Sequence, residues 1–219
     1  MTKIRVHKLF PVPVFEQKLA NFESLNLELE NYIFELKKKN PDGQKRSNAG
    51  GWHSPFFNIN ESEVIKKFIS SFKDSLPVIM SDHMGWQINK EKIKILDMWS
   101  IINSKNTFNV QHNHPNSLLS AAYYVKAKKN SGQIKFFDPK EMKVMYHPSI
   151  SKFNEISAEV VKIEPEEGKL LLFPSYLYHA VDENLSDEDR IVISFNLIKI
   201  LVFFNDCKFF SKENLRRKL

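Results

Sequence analysis

The chain has 219 residues, of which 42% are hydrophobic and 26% are charged, and its formal net charge is +6. This length and balance fit one ordinary globular domain over residues 1–219 and disfavour a second independent core. No apolar run reaches the roughly 18 residues that a membrane-spanning helix needs. The basic N-terminus lacks a signal peptide's apolar stretch, and the single cysteine, Cys207, suits a reducing compartment, so we expect a cytoplasmic protein.

The first third of the chain predicts two amphipathic helices. The first, over residues 24–40, carries apolar residues at helical spacing and stops at Asn40-Pro41-Asp42-Gly43. The second, over residues 61–76, carries an apolar face made of Ile65, Phe68, Ile69, Phe72 and Leu76. Between them, residues 47–54 read as a glycine-broken loop that exposes Trp52 and His53. We therefore expect residues 1–80 to be mainly a helical support.

The pattern changes to strands after residue 90. Strands are predicted over residues 93–102, 118–126, 133–137, 158–163, 169–173 and 190–200. Short strands split by turn signals indicate an antiparallel sandwich or jelly roll. Because helices precede the sheet, the fold class is α+β, with residues 90–200 as the core that holds any metal site.

Three histidines form a candidate metal site. His112 and His114 project from the same face of an extended segment, and His179 follows a strand that ends at a proline. Together they could close one face of a metal ion, although each alone is equally typical of a polar turn or a packed core histidine. Further along, strand alternation puts Arg190, Val192, Ser194 and Asn196 on one face. An inward arginine is costly unless that interior holds an anion, which makes Arg190 a candidate anion site.

The joint order of these motifs resembles the 2-oxoglutarate/iron(II) oxygenase superfamily. It is similar to the prolyl-hydroxylase-like branch and, more closely, to a family of oxygenases frequent in marine bacteria and their phages. The resemblance covers residues 45 to 200 and is carried by the following motifs: residues 48–54, Trp99, His112-Asn113-His114-Pro115-Asn116-Ser117, residues 119–125, Ser131-Gly132, Phe137-Asp138-Pro139, residues 168–175, His179 and residues 190–196. It implies a double-stranded β-helix with iron at its open end, in a bacterial or phage-infected host cytoplasm.

The resemblance also implies roles for individual residues. His112 and His179 would be iron ligands, and His114 takes the place usually held by aspartate, with Asp138 as the alternative third ligand. Arg190 would pair with the C5 carboxylate of 2-oxoglutarate, because its forked guanidinium suits a carboxylate. Other expected contacts to the cosubstrate are made by Tyr124, Ser194 and Asn196. The candidates for a substrate rim are Trp52, His53, Trp99 and Asn116, with ordinary core packing as the open alternative for each tryptophan.

The resulting prediction is an Fe(II)- and 2-oxoglutarate-dependent oxygenase that uses O2 and hydroxylates a substrate. A protein side chain, a small metabolite and a nucleobase all remain open as substrates, and a homodimer is open too. Two alternatives also stay open. One is a cupin-type three-histidine dioxygenase without 2-oxoglutarate, and the other is a non-catalytic jelly-roll binding module.

Overall fold

The computed structural model describes residues 4–88, 93–140 and 148–199. Its helices are α1 (Phe22–Lys39), α2 (Glu63–Phe72) and the short α3 (Ser75–Pro77), which runs into a π-helical turn at Val78–His83. The described strands, in chain order, are β1 (Phe15–Lys18), β2 (Asn48–Ala49), β3 (Trp52–His53), β4 (Ile93–Asn103), β5 (Phe108–His112), β6 (Leu119–Lys126), β7 (Ile134–Phe137), β8 (Val160–Ile163), β9 (Lys169–Pro174), β10 (His179–Val181) and β11 (Arg190–Lys199).

The strands form two antiparallel sheets. One has six strands in the order β1-β9-β6-β11-β4-β3, and the other has five in the order β2-β5-β10-β7-β8. Neighbours in each sheet are mostly distant in sequence, which is the crossover pattern of a jelly roll. The predicted α+β class and double-stranded β-helix are therefore confirmed. Among the described residues, no helix is long and apolar enough to cross a membrane.

The helices pack on the outer face of the six-stranded sheet, as predicted. Leu29 and Ile33 of α1 are fully buried there. The ring of Phe68 on α2 lies 4.7 Å from that of Tyr123 on β6. The predicted second helix ends as α2 at Phe72, four residues early. The chain continues as the short α3, whose last residue is Pro77, and then as the π-helical turn.

A second apolar cluster lies between the two sheets. It contains Ala122 and Tyr124 of β6, Phe136 of β7, Phe173 of β9 and Val192 of β11. The alternating residues of β11 separate as predicted. Those on the face opposite Val192 belong to the cluster beneath the helices, namely Ile191, Ile193 and Phe195. The inward face of β11, which begins at Arg190, is therefore the face that meets the second sheet.

Residues 47–54 do not form the exposed loop that the sequence predicts. They contribute β2 and β3, and Trp52 and His53 are only 7% and 4% exposed. Trp52 joins the cluster under the helices and donates its Nε1–H to the backbone oxygen of Asn40 (2.8 Å). The expected exposure of Trp52 is thus wrong, and of its two open roles the structure shows core packing. The last predicted strand is described to Lys199, and Ile200 lies outside the described residues.

Candidate metal and cosubstrate site

Three histidine rings meet where β5 and β10 face each other. His112, the last residue of β5, is the direct cross-strand partner of His179, the first residue of β10. Their ring centroids are 4.3 Å apart, and the ring of His114 lies 5.3 Å from His112 and 5.1 Å from His179. One ring nitrogen from each histidine lies within 4.8 Å of the others. The strand register and the two-residue spacing of His112 and His114 therefore bring all three side chains to one point.

Each of the three rings uses its Nδ1 in a hydrogen bond to an oxygen. The partner is the backbone oxygen of Val110 for His112 (2.8 Å), that of Leu177 for His179 (3.0 Å), and the side-chain Oδ1 of Asn196 for His114 (2.7 Å). These oxygens only accept, so each Nδ1 carries the proton and each Nε2 keeps its lone pair. That is the tautomer in which a histidine can bind a metal through Nε2.

Burial keeps these imidazoles neutral. It lowers the pKa of His179 to about 3, with the charge of nearby His112 adding to the effect. Burial likewise lowers the pKa of His114 to about 4, and it lowers the pKa of His112 below its usual value. At neutral pH all three rings are therefore unprotonated at Nε2, and they form a set of neutral nitrogen donors suited to a divalent transition metal.

Asp138, the alternative third ligand, is not part of this group. It follows β7, and its Oδ1 accepts a hydrogen bond from the backbone N–H of Lys140 (3.0 Å). Its own backbone N–H donates to the oxygen of Glu159 (2.8 Å). The carboxylate thus caps a turn after β7, while the nitrogen of His114 lies with those of the other two histidines.

Arg190 is fully buried and lines the same cavity as the three histidines. Its Nη1 donates to three backbone oxygens, those of Ser131, Gly132 (3.0 Å) and Asp182 (3.3 Å). Nε and Nη2 are buried without a hydrogen-bond partner in the described part of the chain. Burial lowers the pKa of Arg190 to about 10, so the group remains a cation at neutral pH. A buried cation with unused donors is costly unless an anion completes its bonding.

Gly132 makes this arrangement sterically possible. Its φ is +92°, and a Cβ at this position would collide with the backbone oxygen of Asp182 and with Nη1 of Arg190. Only glycine combines that backbone conformation with the close approach of the guanidinium. The turn between β6 and β7 is therefore built around Arg190.

The other three predicted contacts to the cosubstrate, Tyr124, Ser194 and Asn196, also line the cavity, but their surroundings differ. Tyr124 is 1% exposed, burial raises the pKa of its phenol, and the charge of Arg190 acts on it. Ser194 is also buried on the inward face of β11. Asn196 accepts hydrogen bonds from both His114 and Ser120, so it lies behind a histidine of the candidate metal site.

The cavity has a volume of about 460 Å³, and the residues that line it include Phe56, which is half exposed. Of the predicted rim residues, His53 and Trp99 line it, and their rings stack 5.8 Å apart with an interplanar angle of 10°. Trp52 and Asn116 are not among the described residues that line it. Lining residues that the sequence reading missed are Arg46, Phe56, Asp97, Asn103 and Asn109. Asp97 and Asn103 could have been predicted from the position of Trp99. Every second residue of a strand lies on the same face, so all three share one face of β4.

Residues 97–196 match a family described as "Putative 2OG-Fe(II) oxygenase". The match covers a little under half of the chain, and over this stretch the chain is similar to that oxygenase family. The matched segment contains all three histidines, Tyr124 and Arg190. The enzyme class is therefore that of 2-oxoglutarate-dependent oxidoreductases, with iron(II) and 2-oxoglutarate as cofactors.

Solved structures share the fold. A prolyl-4-hydroxylase from Pseudomonas putida matches with a TM-score of 0.63 at 12% identity, covering 87% of this chain and 94% of that chain. A viral collagen prolyl hydroxylase from Paramecium bursaria Chlorella virus-1, in complex with 2-oxoglutarate, matches at 0.55 and 16% identity, covering 85% and 96%. HygX from Streptomyces hygroscopicus, with nickel and 2-oxoglutarate bound, matches at 0.60 and 12% identity, covering 88% and 84%. A comparison with curated proteins finds no match.

Proposed function

We propose that this chain hydroxylates a C–H bond of its substrate as an Fe(II)- and 2-oxoglutarate-dependent oxygenase, with His112, His114 and His179 as the iron ligands. One observation carries the assignment of the residues. Three neutral imidazoles converge in the same cavity that contains a buried arginine with unused donors. The first feature suits a divalent metal, and the second suits the far carboxylate of a dicarboxylic cosubstrate.

Each part of the chain has a distinct task in this proposal. The histidines hold the iron through Nε2, while Arg190 and Tyr124 bind the C5 carboxylate of 2-oxoglutarate and Ser194 lies beside it. The bound iron and cosubstrate supply an oxidant from O2, so that 2-oxoglutarate, O2 and R–H become succinate, CO2 and R–OH. The protein orients these partners and excludes water, since the cavity walls are largely apolar between the sheets.

Charge distinguishes a three-histidine site from a site with two histidines and a carboxylate. Neutral ligands leave the full +2 charge of the iron in a buried site. The dianion of 2-oxoglutarate offsets that charge, and its distal carboxylate pairs with the guanidinium of Arg190. Iron (+2), the dianion (−2) and the guanidinium (+1) would then sum to +1, one positive charge more than in a site with a protein carboxylate. The proposal of His114 as the third ligand therefore rests on the convergence of its nitrogen with those of His112 and His179.

The two alternative functions leave a feature without a role. A cupin-type dioxygenase without 2-oxoglutarate accounts for the histidines but not for a buried arginine with two unused nitrogens. A non-catalytic jelly-roll module could bind a structural metal through the histidines, but it gives no role to Arg190, whose Nε and Nη2 have no hydrogen-bond partner among the described residues.

Further expectations belong to the same proposal. The substrate is a protein side chain, a small metabolite or a nucleobase that enters past Phe56, Trp99 and His53. The prolyl hydroxylases among the structural neighbours make a prolyl side chain the first candidate to assay.

We also propose a single domain over residues 1–219, a cytoplasmic location and a homodimer. The oligomeric state can be measured by light scattering of the purified chain.

The decisive experiment measures succinate formation from 2-oxoglutarate with added Fe(II) and O2, with and without candidate substrates. We expect iron-dependent succinate release that a true substrate accelerates. Arg190→Ala and Arg190→Met should weaken 2-oxoglutarate binding by about a hundredfold, because losing a buried charge partner costs a few kcal/mol. Iron binding should stay near wild type, and that measurement also shows that the variants fold.

An anaerobic titration of 2-oxoglutarate into the iron-loaded protein follows the same binding step through its metal-to-ligand charge-transfer band. If wild type and both Arg190 variants titrate alike, Arg190 is structural. The function without 2-oxoglutarate then takes precedence.

A further inference from the structure

A buried hydrogen-bond network lies behind His114 and links three strands. Nδ1 of His114 donates to Oδ1 of Asn196 on β11, and that oxygen also accepts the hydroxyl of Ser120 on β6 (2.9 Å). Ser120 in turn is 2.7 Å from the hydroxyl of Ser175, which follows β9. Ser120, Ser175 and Asn196 are 1%, 0% and 8% exposed. The network is therefore shielded from water and has a fixed set of partners.

The direction of every bond in this network follows from proton counting. Ser120 has one hydroxyl proton and gives it to Asn196, so Ser175 must donate to Ser120. Oδ1 of Asn196 then receives two hydrogen bonds and cannot accept a further strong one. Ser175 also accepts the backbone N–H of His114 at its own backbone oxygen (2.9 Å). The network thus holds His114 at both its backbone and its ring.

His114 differs in this respect from the other two histidines of the site. His112 and His179 each donate Nδ1–H to the backbone oxygen two residues before them, that of Val110 and that of Leu177. Their support is local and comes with the strand. His114 lies beyond the end of β5, and its ring depends on a side chain from a strand far along the sequence. It is the ligand whose orientation the backbone alone does not fix.

We infer that Asn196 is a positioning residue for the third metal ligand. Its amide oxygen fixes the Nδ1–H tautomer of His114 and aims Nε2 at the metal, with Ser120 and Ser175 holding the amide in place. This inference rests on the proposed function, since it requires that the three histidines bind iron. Without the acceptor, the ring can rotate, or it can move its proton to Nε2, where it blocks coordination.

The test compares variants that remove the acceptor with one that keeps it. Asn196→Leu and Asn196→Ala should weaken Fe(II) binding, measured by anaerobic titration, by about 10- to 100-fold, the usual effect of losing a ligand's hydrogen-bond partner. Asn196→Asp preserves an oxygen acceptor at the same place and should restore affinity to near the wild-type value. Ser120→Ala leaves the amide less well held and should give a smaller loss.

The control is another buried asparagine, Asn26, which is 7% exposed. It donates to the backbone oxygen of Val125 and accepts from the hydroxyl of Tyr123 on the helix side of the sheet. Asn26→Leu should lower the melting temperature but leave Fe(II) affinity unchanged. A merely structural role of Asn196 would make its variants behave like Asn26→Leu.

A metal-free measurement distinguishes this inference from the proposed function. Long-range ¹H–¹⁵N NMR spectra of the histidine rings report which nitrogen carries the proton. We expect the Nδ1–H form for His114 in the wild type and loss of that single form in Asn196→Leu. Unchanged tautomer and unchanged iron affinity in Asn196→Leu would overturn the inference while leaving the three-histidine site intact. A wild-type chain that binds no iron would instead overturn the proposed function.

Discussion

At the residue scale, the site is defined by where protons and lone pairs are fixed. Hydrogen bonds from Nδ1 determine the tautomer of each histidine, and burial keeps the ring neutral. Arg190 shows the opposite case, because its Nη1 donates to backbone oxygens while Nε and Nη2 have no hydrogen-bond partner among the described residues. Both features were invisible in the sequence, which shows residue types but neither protonation nor unused donors.

The third ligand can be identified by comparing two single variants. His114→Ala should lose most bound Fe(II), because it removes one of three convergent nitrogens, and His179→Ala serves as the positive control. Asp138→Ala should retain the metal, since its carboxylate caps the turn at Lys140. Metal content of the purified proteins measures this directly. Loss of iron in Asp138→Ala with retention in His114→Ala would mean that the carboxylate is the true ligand.

At the element scale, strand alternation explains how much of the site the sequence could predict. The period of two along β11 correctly separates the inward Arg190 and Val192 from the core-facing Ile191 and Ile193. The same reasoning did not predict β5, because the apolar residues of this strand face outward and a polar residue faces inward. Phe108 and Val110 are 40% and 46% exposed, while Asn109 between them is buried beside the cavity. A strand that faces a polar cavity hides its polar residues, so hydrophobic patterning cannot find it.

Pairing between distant elements was also beyond the sequence. The contact of Asn196 with His114 depends on the register of β11 against β6 and on the chain path after β5. Trp52 and His53 were misjudged because their flanking glycines suggested a loop, whereas β3 pairs with β4 and buries both. Local composition predicts turns well, but short strands form through partners that are far along the chain.

The turn between β6 and β7 gives a prediction at this scale. Gly132→Ala should displace the guanidinium of Arg190 and weaken 2-oxoglutarate binding at least tenfold, while Fe(II) affinity stays near wild type. The added Cβ collides with Arg190 and with the backbone of Asp182. Isothermal titration of 2-oxoglutarate into the metal-loaded protein measures the effect.

Gly85→Ala is the matched control for that variant. Gly85 also has a positive φ, +69°, but a Cβ there would meet nothing within 4 Å. Both substitutions place a Cβ on a left-handed backbone, which lowers the free energy of unfolding by about 1–2 kcal/mol. Only Gly132→Ala also disturbs Arg190. Equal 2-oxoglutarate affinity in the two variants would show that the turn does not position the arginine.

At the scale of the whole molecule, the six-stranded sheet separates stability from chemistry. Its outer face packs on α1 and α2, where Leu29, Ile33 and Phe68 are fully buried. Its inner face contributes Arg190 and Asn196 to the cavity. The two faces carry different side chains, because successive residues of a strand point to opposite faces of the sheet. A loss of packing on the helix side should therefore lower the free energy of unfolding without changing the bonding around the histidines.

Phe68→Ala tests this separation. The ring of Phe68 is fully buried and lies against Tyr123 and Phe72, with centroids 4.7 Å and 5.0 Å away. Its truncation should cost about 3–5 kcal/mol of unfolding free energy, measured by urea denaturation, and Phe68→Leu should cost less. Phe56→Ala is the comparison, because that ring is 51% exposed and its removal should change stability little. Under native conditions Phe68→Leu should bind Fe(II) as tightly as wild type. If its iron affinity falls in proportion to its stability, the two faces of the sheet are coupled, and the helices take part in shaping the metal site.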